Sequence, residues 1–102
     1  MRRVMVRYKV KADRVEENKQ LIADVFAQLK REKPAGLRYA SFNLGDGVSF
    51  VHVVSFETLG GENTLGPLPA FKAFQAQLAD RCQEEPVAVE LTEVGSYRFF
   101  ND

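Results

Sequence analysis

The sequence predicts an α+β fold in which strands and helices follow the order β-α-β-β-α-β. The dipeptide Asp46-Gly47 separates two runs rich in β-branched and aromatic residues, which is the strongest short-range signal for a β-hairpin. A long amphipathic helix pattern precedes this hairpin and another follows it, and a further strand pattern lies towards each end of the chain. We therefore expect residues 1–102 to form one domain built on an antiparallel sheet.

The register of the hairpin follows from a two-residue type I′ turn at Asp46 and Gly47. In such a turn Gly45 pairs with Val48, and pairing continues back along both strands. The opposed pairs on one face are then Asn43 with Phe50, Ser41 with His52, and Tyr39 with Val54. The other face is almost wholly apolar and takes Leu44, Phe42, Ala40, Ser49, Val51, Val53 and Ser55. A three-residue loop with a bulge would reverse these faces, because a slip of one residue turns every side chain over.

The polarity of the two faces indicates where the helices should pack. The almost wholly apolar face suits the helices, which leaves the mixed face uncovered. Its apolar members, Phe50, Val54 and Phe56, together with Met5, would form a patch larger than soluble monomers usually expose. We therefore expect a homodimer in which two such sheets face each other with closed symmetry.

A change of period marks the passage from the first strand to the first helix. The strand pattern alternates Val4, Val6, Tyr8 and Val10 with Met5, Arg7, Lys9 and Lys11. Asp13 followed by Glu16 has the spacing of a capping box, so a helix should begin there. Its apolar stripe consists of Val15, Ile22, Val25, Phe26 and Leu29, and Pro34 with Gly36 should end it.

The second half of the chain begins with a glycine-rich loop. Residues 57–66 contain three glycines and form either a mobile connector or a lid over a ligand site. Pro67-Leu68-Pro69 should lead into a second helix, whose apolar stripe consists of Phe71, Phe74, Leu78 and Cys82. Pro86 should end this helix, residues 87–94 should form the last main strand, and the aromatic residues 97–100 should cover an edge or reach a partner.

Composition argues against several classes of partner. Fourteen basic and fourteen acidic residues cancel, so we expect neither a nucleic acid nor an anionic membrane as the main partner. RNA-recognition domains share this element order, but Asp46, Val48 and Val53 stand where their third-strand motif carries a basic residue and two rings. No run approaches the roughly 18 apolar residues of a membrane span. The single cysteine, Cys82, is typical of a reducing cytoplasm, which we expect as the location.

The residues that carry chemistry are few. The sequence contains no phosphate-binding glycine motif and no paired-cysteine zinc motif, and one histidine with one cysteine cannot build a usual zinc site in one chain. We expect no metal and no cofactor. Cys82 lies on an apolar stripe, so we interpret it as a structural thiol. His52 is either a hydrogen-bonded core or interface imidazole, or a general base or ligand anchor.

The polar residues of the mixed face are expected to meet at the middle of the sheet. If the first and third strands are neighbours, Arg7 lies beside His52, and Ser41 lies opposite His52 on the second strand. A few polar groups in an apolar hollow are the usual composition of a small-molecule site. In the predicted site the catalytic residues are His52 and Arg7, and the substrate-binding residues are Tyr39, Ser41, Asn43 and Phe50. The alternative is that these groups form the polar part of a dimer interface.

Four segments together resemble the antibiotic-biosynthesis-monooxygenase-like family of the dimeric α+β barrel superfamily. They are residues 4–11, the helix from Asp13, the strand residues 50–53 and residues 69–74. The resemblance implies a ferredoxin-like subunit that pairs with a second copy to form a dimeric α+β barrel. Family members include cofactor-independent oxygenases of quinols and polyketide aromatics, haem-degrading enzymes and proteins with no known activity.

Two differences from the family pattern reduce the number of activities that the resemblance implies. Haem-degrading members use a tryptophan and a helical histidine, whereas this chain has no tryptophan and no histidine in its second helix. Haem degradation is therefore not expected. Pro69 and Ala70 stand where the oxygenases often carry histidine or serine at the start of the second helix.

Two functions follow as hypotheses. In the first, the chain is a cofactor-independent oxygenase for a small aromatic or quinol-type substrate, in which His52 assists deprotonation and Arg7 stabilises the resulting anion. In the second, it is a non-catalytic homodimer that binds a small apolar ligand or only assembles.

Overall fold

The computed structural model describes residues 1–100, and it confirms the predicted element order with two additions, a 3₁₀ turn at Ala12–Arg14 and a short third α-helix. The strands are β1 (Arg2–Val10), β2 (Leu37–Asn43), β3 (Ser49–Phe56) and β4 (Cys82–Leu91). The helices are α1 (Val15–Glu32), α2 (Pro69–Ala76) and α3 (Leu78–Arg81). The strands form one antiparallel sheet in the order β2-β3-β1-β4, so β1 and β3 are its central strands. No helix within residues 1–100 has both the length and the apolar character needed to cross a bilayer.

The register of the β2-β3 hairpin is as predicted. Tyr39 pairs with Val54, Ser41 with His52, and Asn43 with Phe50. The turn itself differs from the expected type I′ turn, because Gly47 has a positive φ of 80° whereas Asp46 does not. The Gly47 amide donates to the carbonyl of Leu44, which closes a four-residue turn one residue earlier than predicted.

A side chain holds this turn in register. The Asp46 carboxylate accepts hydrogen bonds from the amides of Val48 and Ser49, at 3.0 and 2.8 Å, and from the Ser49 hydroxyl at 2.6 Å. These bonds anchor Asp46 at the start of β3, and they also lower the pKa of its carboxyl. The aspartate therefore acts by capping the strand rather than by adopting a left-handed conformation.

The helices cover the mixed face of the sheet, so the predicted assignment of the faces is wrong. Phe50, Val54 and Phe56 belong to the buried core beneath the helices rather than to an open patch. The open face carries Met5, Val51 and Val53 on the central strands, Phe42 on β2, and Val87, Val89 and Leu91 on β4.

Aromatic packing accounts for this choice of face. The ring of Phe26 on α1 stacks on Tyr39 with centroids 5.1 Å apart, and Phe74 on α2 lies 5.5 Å from the His52 ring. Both helices therefore present rings, and the mixed face supplies the rings that match them. On the open face the hairpin carries only one aromatic side chain, Phe42, so that face offers the helix rings fewer aromatic partners.

The second helical region is shorter than predicted, and this moves Cys82 and Pro86 into β4. Helix α2 ends at Ala76, α3 adds one turn, and β4 begins at Cys82, which pairs with Val10. Pro86 falls where the register shifts between β1 and β4, next to a position without a ladder partner. Proline is tolerated there because it has no N–H to donate. Pro86 therefore marks an irregular edge strand rather than a helix end.

Cys82 remains a structural thiol in this new place. Its side chain is buried, and burial raises the pKa of the thiol, which reduces its reactivity. We expect Cys82→Ala to keep any activity and to lower the free energy of unfolding by about 1 kcal/mol through lost packing. Titration with a thiol reagent should show slow modification of the folded protein and rapid modification of the denatured one. Rapid modification of the folded protein at neutral pH would contradict this prediction.

Candidate functional site

His52 lies at the middle of β3, and both of its ring nitrogens contact hydroxyl groups. The Tyr8 hydroxyl from β1 lies 2.6 Å from Nε2. The hydroxyls of Tyr39 and Ser41 from β2 lie 2.6 and 2.7 Å from Nδ1. The imidazole is only 4 % exposed, so these contacts form in the core of the protein.

The hydrogen bonds continue from Tyr8 towards the helices. The Asn18 side chain of α1 donates to the Tyr8 hydroxyl at 2.9 Å and accepts from Arg81 Nε at 3.1 Å. Arg81 also donates to the carbonyl of Phe74 at 2.7 Å. We call the series Arg81, Asn18, Tyr8, His52, Tyr39 and Ser41 the polar chain. Asn18 and Arg81 are both 0 % exposed, and no ion pair joins Arg81 to an acidic residue within residues 1–100.

Burial keeps the three titratable rings of the polar chain neutral at pH 7. Burial lowers the pKa of His52 to about 4, because the cationic form loses its hydration. Burial raises the pKa of Tyr39 to about 12, against a smaller lowering by the hydrogen bond with Ser41. The pKa of Tyr8 is also raised by burial, although the hydrogen bond with Asn18 and the charge of Arg81 both oppose the rise. The only fixed charge in the polar chain is therefore the Arg81 guanidinium.

A cavity of about 520 Å³ lies between the sheet, α2 and the loop that joins β3 to α2. Its polar lining consists of Tyr8, Tyr39, His52, Arg2, Asn63 and Gln75, and its apolar lining consists of Val4, Val6, Val54, Phe56, Leu65, Phe71, Phe74, Leu78 and Pro86. A volume of this size, with an aromatic wall and few polar groups, suits one small aromatic molecule. The glycine-rich loop contributes Asn63 and Leu65 to the cavity wall.

The structure brings together some of the predicted site residues. Tyr39 and His52 line the cavity. Ser41 contacts His52, and Phe50 is buried against the Tyr8 ring with centroids 5.6 Å apart. Asn43 is exposed near the hairpin turn, where its side chain donates to the carbonyl of Ser49.

Arg7 does not join them, and the predicted convergence of Arg7 with His52 is wrong. The β1-β3 register pairs Val6 with His52 and pairs Arg7 with Val51. Because neighbouring residues of a strand point to opposite faces, Arg7 lies exposed on the open face. Arg7 therefore cannot stabilise an anion beside His52.

Asn18, Arg81 and Tyr8 were not among the predicted site residues, although the sequence contained a signal for the first two. Asn18 lies three residues after Val15 and four before Ile22, so it falls on the apolar stripe of α1. Arg81 lies three residues after Leu78, on the stripe of the second helical region. A polar residue within a buried stripe needs a buried partner, which is what both residues have.

Several solved structures of other proteins have a similar fold. The sequence matches no protein-family model and no curated protein. The fold is similar to an antibiotic biosynthesis monooxygenase, with a TM-score of 0.76 and 14 % identity over 93 % of this chain and 100 % of the other. It is also similar to Rv0793 from Mycobacterium tuberculosis, with a TM-score of 0.75 and 16 % identity over 93 % of this chain and 96 % of that one.

A third solved structure is a variant of SnoaB, a cofactor-independent oxygenase from Streptomyces nogalater. It matches with a TM-score of 0.69 and 15 % identity, over 93 % of this chain and 94 % of the other. The predicted resemblance to antibiotic-biosynthesis-monooxygenase-like proteins and the predicted ferredoxin-like α+β fold are thus confirmed at the level of the fold. Within residues 1–100, no group of three or more His, Cys, Asp or Glu side chains is placed to hold a metal ion.

Proposed function

We propose that this protein is a cofactor-independent monooxygenase-like enzyme that binds a small phenolic or quinol-type molecule in the cavity beside His52. The observation that carries the proposal is a neutral, buried imidazole held between two tyrosine hydroxyls at the wall of an aromatic cavity. The names of the structural neighbours support the same class of reaction, although at low sequence identity.

The reaction that such a site favours begins with the removal of a proton from the ligand. When a phenolic ligand loses its O–H proton, the phenolate becomes a much stronger one-electron donor, and dioxygen can then act as the oxidant. The imidazole of His52 is a weak base when the cavity is empty, but a phenolate beside it raises the pKa of His52 by pairing with the imidazolium. The positive charges that favour the anion come from Arg2 in the cavity lining and from Arg81 at the end of the polar chain, rather than from Arg7.

For an anthrone, the overall reaction consumes one dioxygen. One oxygen atom enters the product as the new quinone carbonyl and the other leaves as water, so no external reductant is needed. A hydroquinone instead passes two electrons and two protons to dioxygen, which gives the quinone and hydrogen peroxide. The oxidation of both classes of probe can therefore be followed by oxygen uptake without a cofactor.

Oxygen uptake on a panel of hydroquinones and anthrones tests this proposal. Wild type should consume oxygen with at least one compound, and His52→Gln should reduce the rate about 100-fold or more. The matched control is Cys82→Ala, which changes a buried residue outside the cavity lining and should retain the wild-type rate. Equal uptake by wild type and His52→Gln would contradict the assignment of His52.

A second candidate function is a ligand-binding module without catalysis. It is favoured by one observation, namely that both ring nitrogens of His52 already have protein partners, as in a structural core histidine. In that case aromatic ligands would bind in the cavity, whereas no compound of the panel would be oxidised. Binding without oxygen uptake therefore separates the two functions.

We also propose that the protein forms a homodimer, now through the open face of the sheet. Phe42, Val87, Val89 and Leu91 are 49 %, 62 %, 43 % and 39 % exposed and lie on the same face as Met5 and Val53. Burying an exposed aliphatic side chain of this size contributes on the order of 1.5–3 kcal/mol before the costs of association. A second copy is the partner that closed symmetry favours.

Light scattering at micromolar concentration should therefore give twice the mass of one chain. Val89→Glu should shift the equilibrium towards monomers, because it places a charge among the apolar side chains of the proposed interface. Ala23→Glu, on the exposed surface of α1, is the matched control and should leave the mass unchanged. A monomeric mass for wild type would contradict the homodimer.

A further inference from the structure

The hydrogen-bonding capacity of His52 is smaller than the number of hydroxyls around it. Each ring nitrogen of a neutral imidazole offers either one hydrogen or one lone pair. Nε2 is occupied by Tyr8, whereas Nδ1 has two hydroxyl neighbours, Tyr39 at 2.6 Å and Ser41 at 2.7 Å. Nδ1 can therefore form a hydrogen bond with only one of these two hydroxyls at a time.

Tyr39 is the hydroxyl that can reach a ligand. It lines the cavity, whereas Ser41 does not. Its ring is fixed, because it stacks on Phe26 at 5.1 Å and meets Phe71 edge-on at 6.4 Å. When the Tyr39 O–H donates to Nδ1, the Tyr39 oxygen still has lone pairs that can accept a hydrogen bond from a ligand hydroxyl. Tyr8 has less freedom, because Asn18 and His52 both bond its hydroxyl.

We propose that Tyr39 is the residue that exchanges a proton with the hydroxyl of the ligand, and that His52 acts through Tyr39 as a relay. This inference rests on the proposed function. It differs from the proposed function in one respect: His52 does not contact the ligand oxygen that loses its proton. Ser41 is then a positioning residue, which bonds to Nδ1 of His52 only when Tyr39 does not.

The transfer is balanced within the site. The ligand O–H bond breaks and its proton goes to the Tyr39 oxygen, while the Tyr39 O–H proton moves to Nδ1 of His52. Tyr39 ends unchanged, the ligand becomes an anion, and His52 becomes a cation. Nδ1 must be unprotonated at the start, so Nε2 of His52 carries the hydrogen and donates it to the Tyr8 hydroxyl.

The groups that face His52 determine when this transfer occurs. They are Tyr8 from β1, Tyr39 and Ser41 from β2, and Phe74 from α2, none of which is charged. The charged groups of the polar chain and of the cavity lining are cationic: Arg81 lies two hydrogen-bonded residues away through Asn18 and Tyr8, and Arg2 lines the cavity, while the acidic Glu17 lies beyond Arg81. Both cations oppose the imidazolium and favour a ligand anion, so His52 should remain neutral until a ligand binds.

The test uses the fact that His52 is the only histidine of the chain, which makes its ring nitrogen signals unambiguous in ¹⁵N NMR. The probes are 1-naphthol and naphthalene, which differ by one hydroxyl. Wild type should show the Nε2–H tautomer and should bind 1-naphthol about tenfold more tightly than naphthalene, as expected for one added hydrogen bond. The His52 nitrogen signals should move with 1-naphthol and stay in place with naphthalene.

Tyr39→Phe should abolish both the preference for 1-naphthol and its effect on the His52 signals. Tyr97→Phe is the matched control, because it removes the hydroxyl of an exposed tyrosine outside the cavity lining, and it should retain both. An Nδ1–H tautomer in wild type, or an unchanged preference in Tyr39→Phe, would overturn the relay while leaving the proposed function standing. If neither probe bound to wild type, the proposed function would fall and the relay with it. The wild-type tautomer decides the question even if a variant does not fold.

Discussion

Replacing Asn18 by alanine is expected to lower the free energy of unfolding by about 3–5 kcal/mol. Asn18 is fully buried and accepts a hydrogen bond from Arg81, which has no acidic partner within residues 1–100. The substitution would leave the Arg81 cation in the core with only the carbonyl and the ring of Phe74 as partners, and it would also remove the donor to Tyr8. Unfolding in urea, followed by circular dichroism, measures the change.

Asn43→Ala is the matched control for this substitution. Asn43 also makes a hydrogen bond, to the carbonyl of Ser49, but it is exposed to water. Its loss should cost about 1 kcal/mol or less, because water replaces the missing group. Similar costs for the two substitutions would show that the polar chain is not a buried, closely coupled network.

The stability of the protein should fall by about 3 kcal/mol between pH 7 and pH 4 through His52 alone. The folded protein holds the pKa of His52 at about 4, whereas the ordinary value is 6.5. The unfolded chain therefore binds a proton within this window that the folded protein does not bind. The contribution of His52 to the free energy of unfolding is complete above pH 6.5 and is lost as the pH falls towards 4. This is the direction expected for a histidine whose pKa is lowered by folding.

Urea unfolding at several pH values checks this prediction, with His52→Gln as the comparison. The glutamine side chain does not titrate, so the variant should lose the slope between pH 6.5 and pH 4.5. Asp46 and Glu57 also have lowered pKa values, but their effects begin only below about pH 4.5, outside this interval. A wild-type stability that stayed constant from pH 7 to pH 5 would contradict a buried neutral His52.

The sequence predicted the fold because its local signals agree with one another. The position of Asp46 and Gly47 set the register of the hairpin, and that register placed Ser41 opposite His52 and Tyr39 opposite Val54, as observed. The register survived although the turn type was predicted wrongly. Side chains alternate strictly between the two faces of a strand, so the pairing at the turn also predicts which residues pair, and on which face, at the middle of the sheet.

The choice of face could not be predicted with the same rules. Both faces of the hairpin are largely apolar, and the alternation of β1 and β3 says which residues share a face but not which face meets the helices. The prediction assumed that polar groups such as His52 and Ser41 avoid the core. In the structure these groups satisfy one another there, which removes most of the cost of burial.

The polar chain also indicates why function is expected in this part of the core. A buried cation such as Arg81 that has only neutral partners costs stability compared with an apolar residue of similar size. Buried residues that lower stability in this way are often found at functional sites. The position of Asn18 within an apolar stripe was the sequence signal for the polar chain. That signal could be interpreted only when its partner on β1, Tyr8, was known.

The central claim is that a small aromatic molecule binds between α2 and the sheet, beside His52. Intermolecular NOEs from 1-naphthol to the protein test this claim most directly. We expect NOEs from the naphthol ring to the ring protons of His52 and Tyr39, and to Phe71 and Phe74 of α2. NOEs confined to the open face, at Phe42 and Val87, would contradict it.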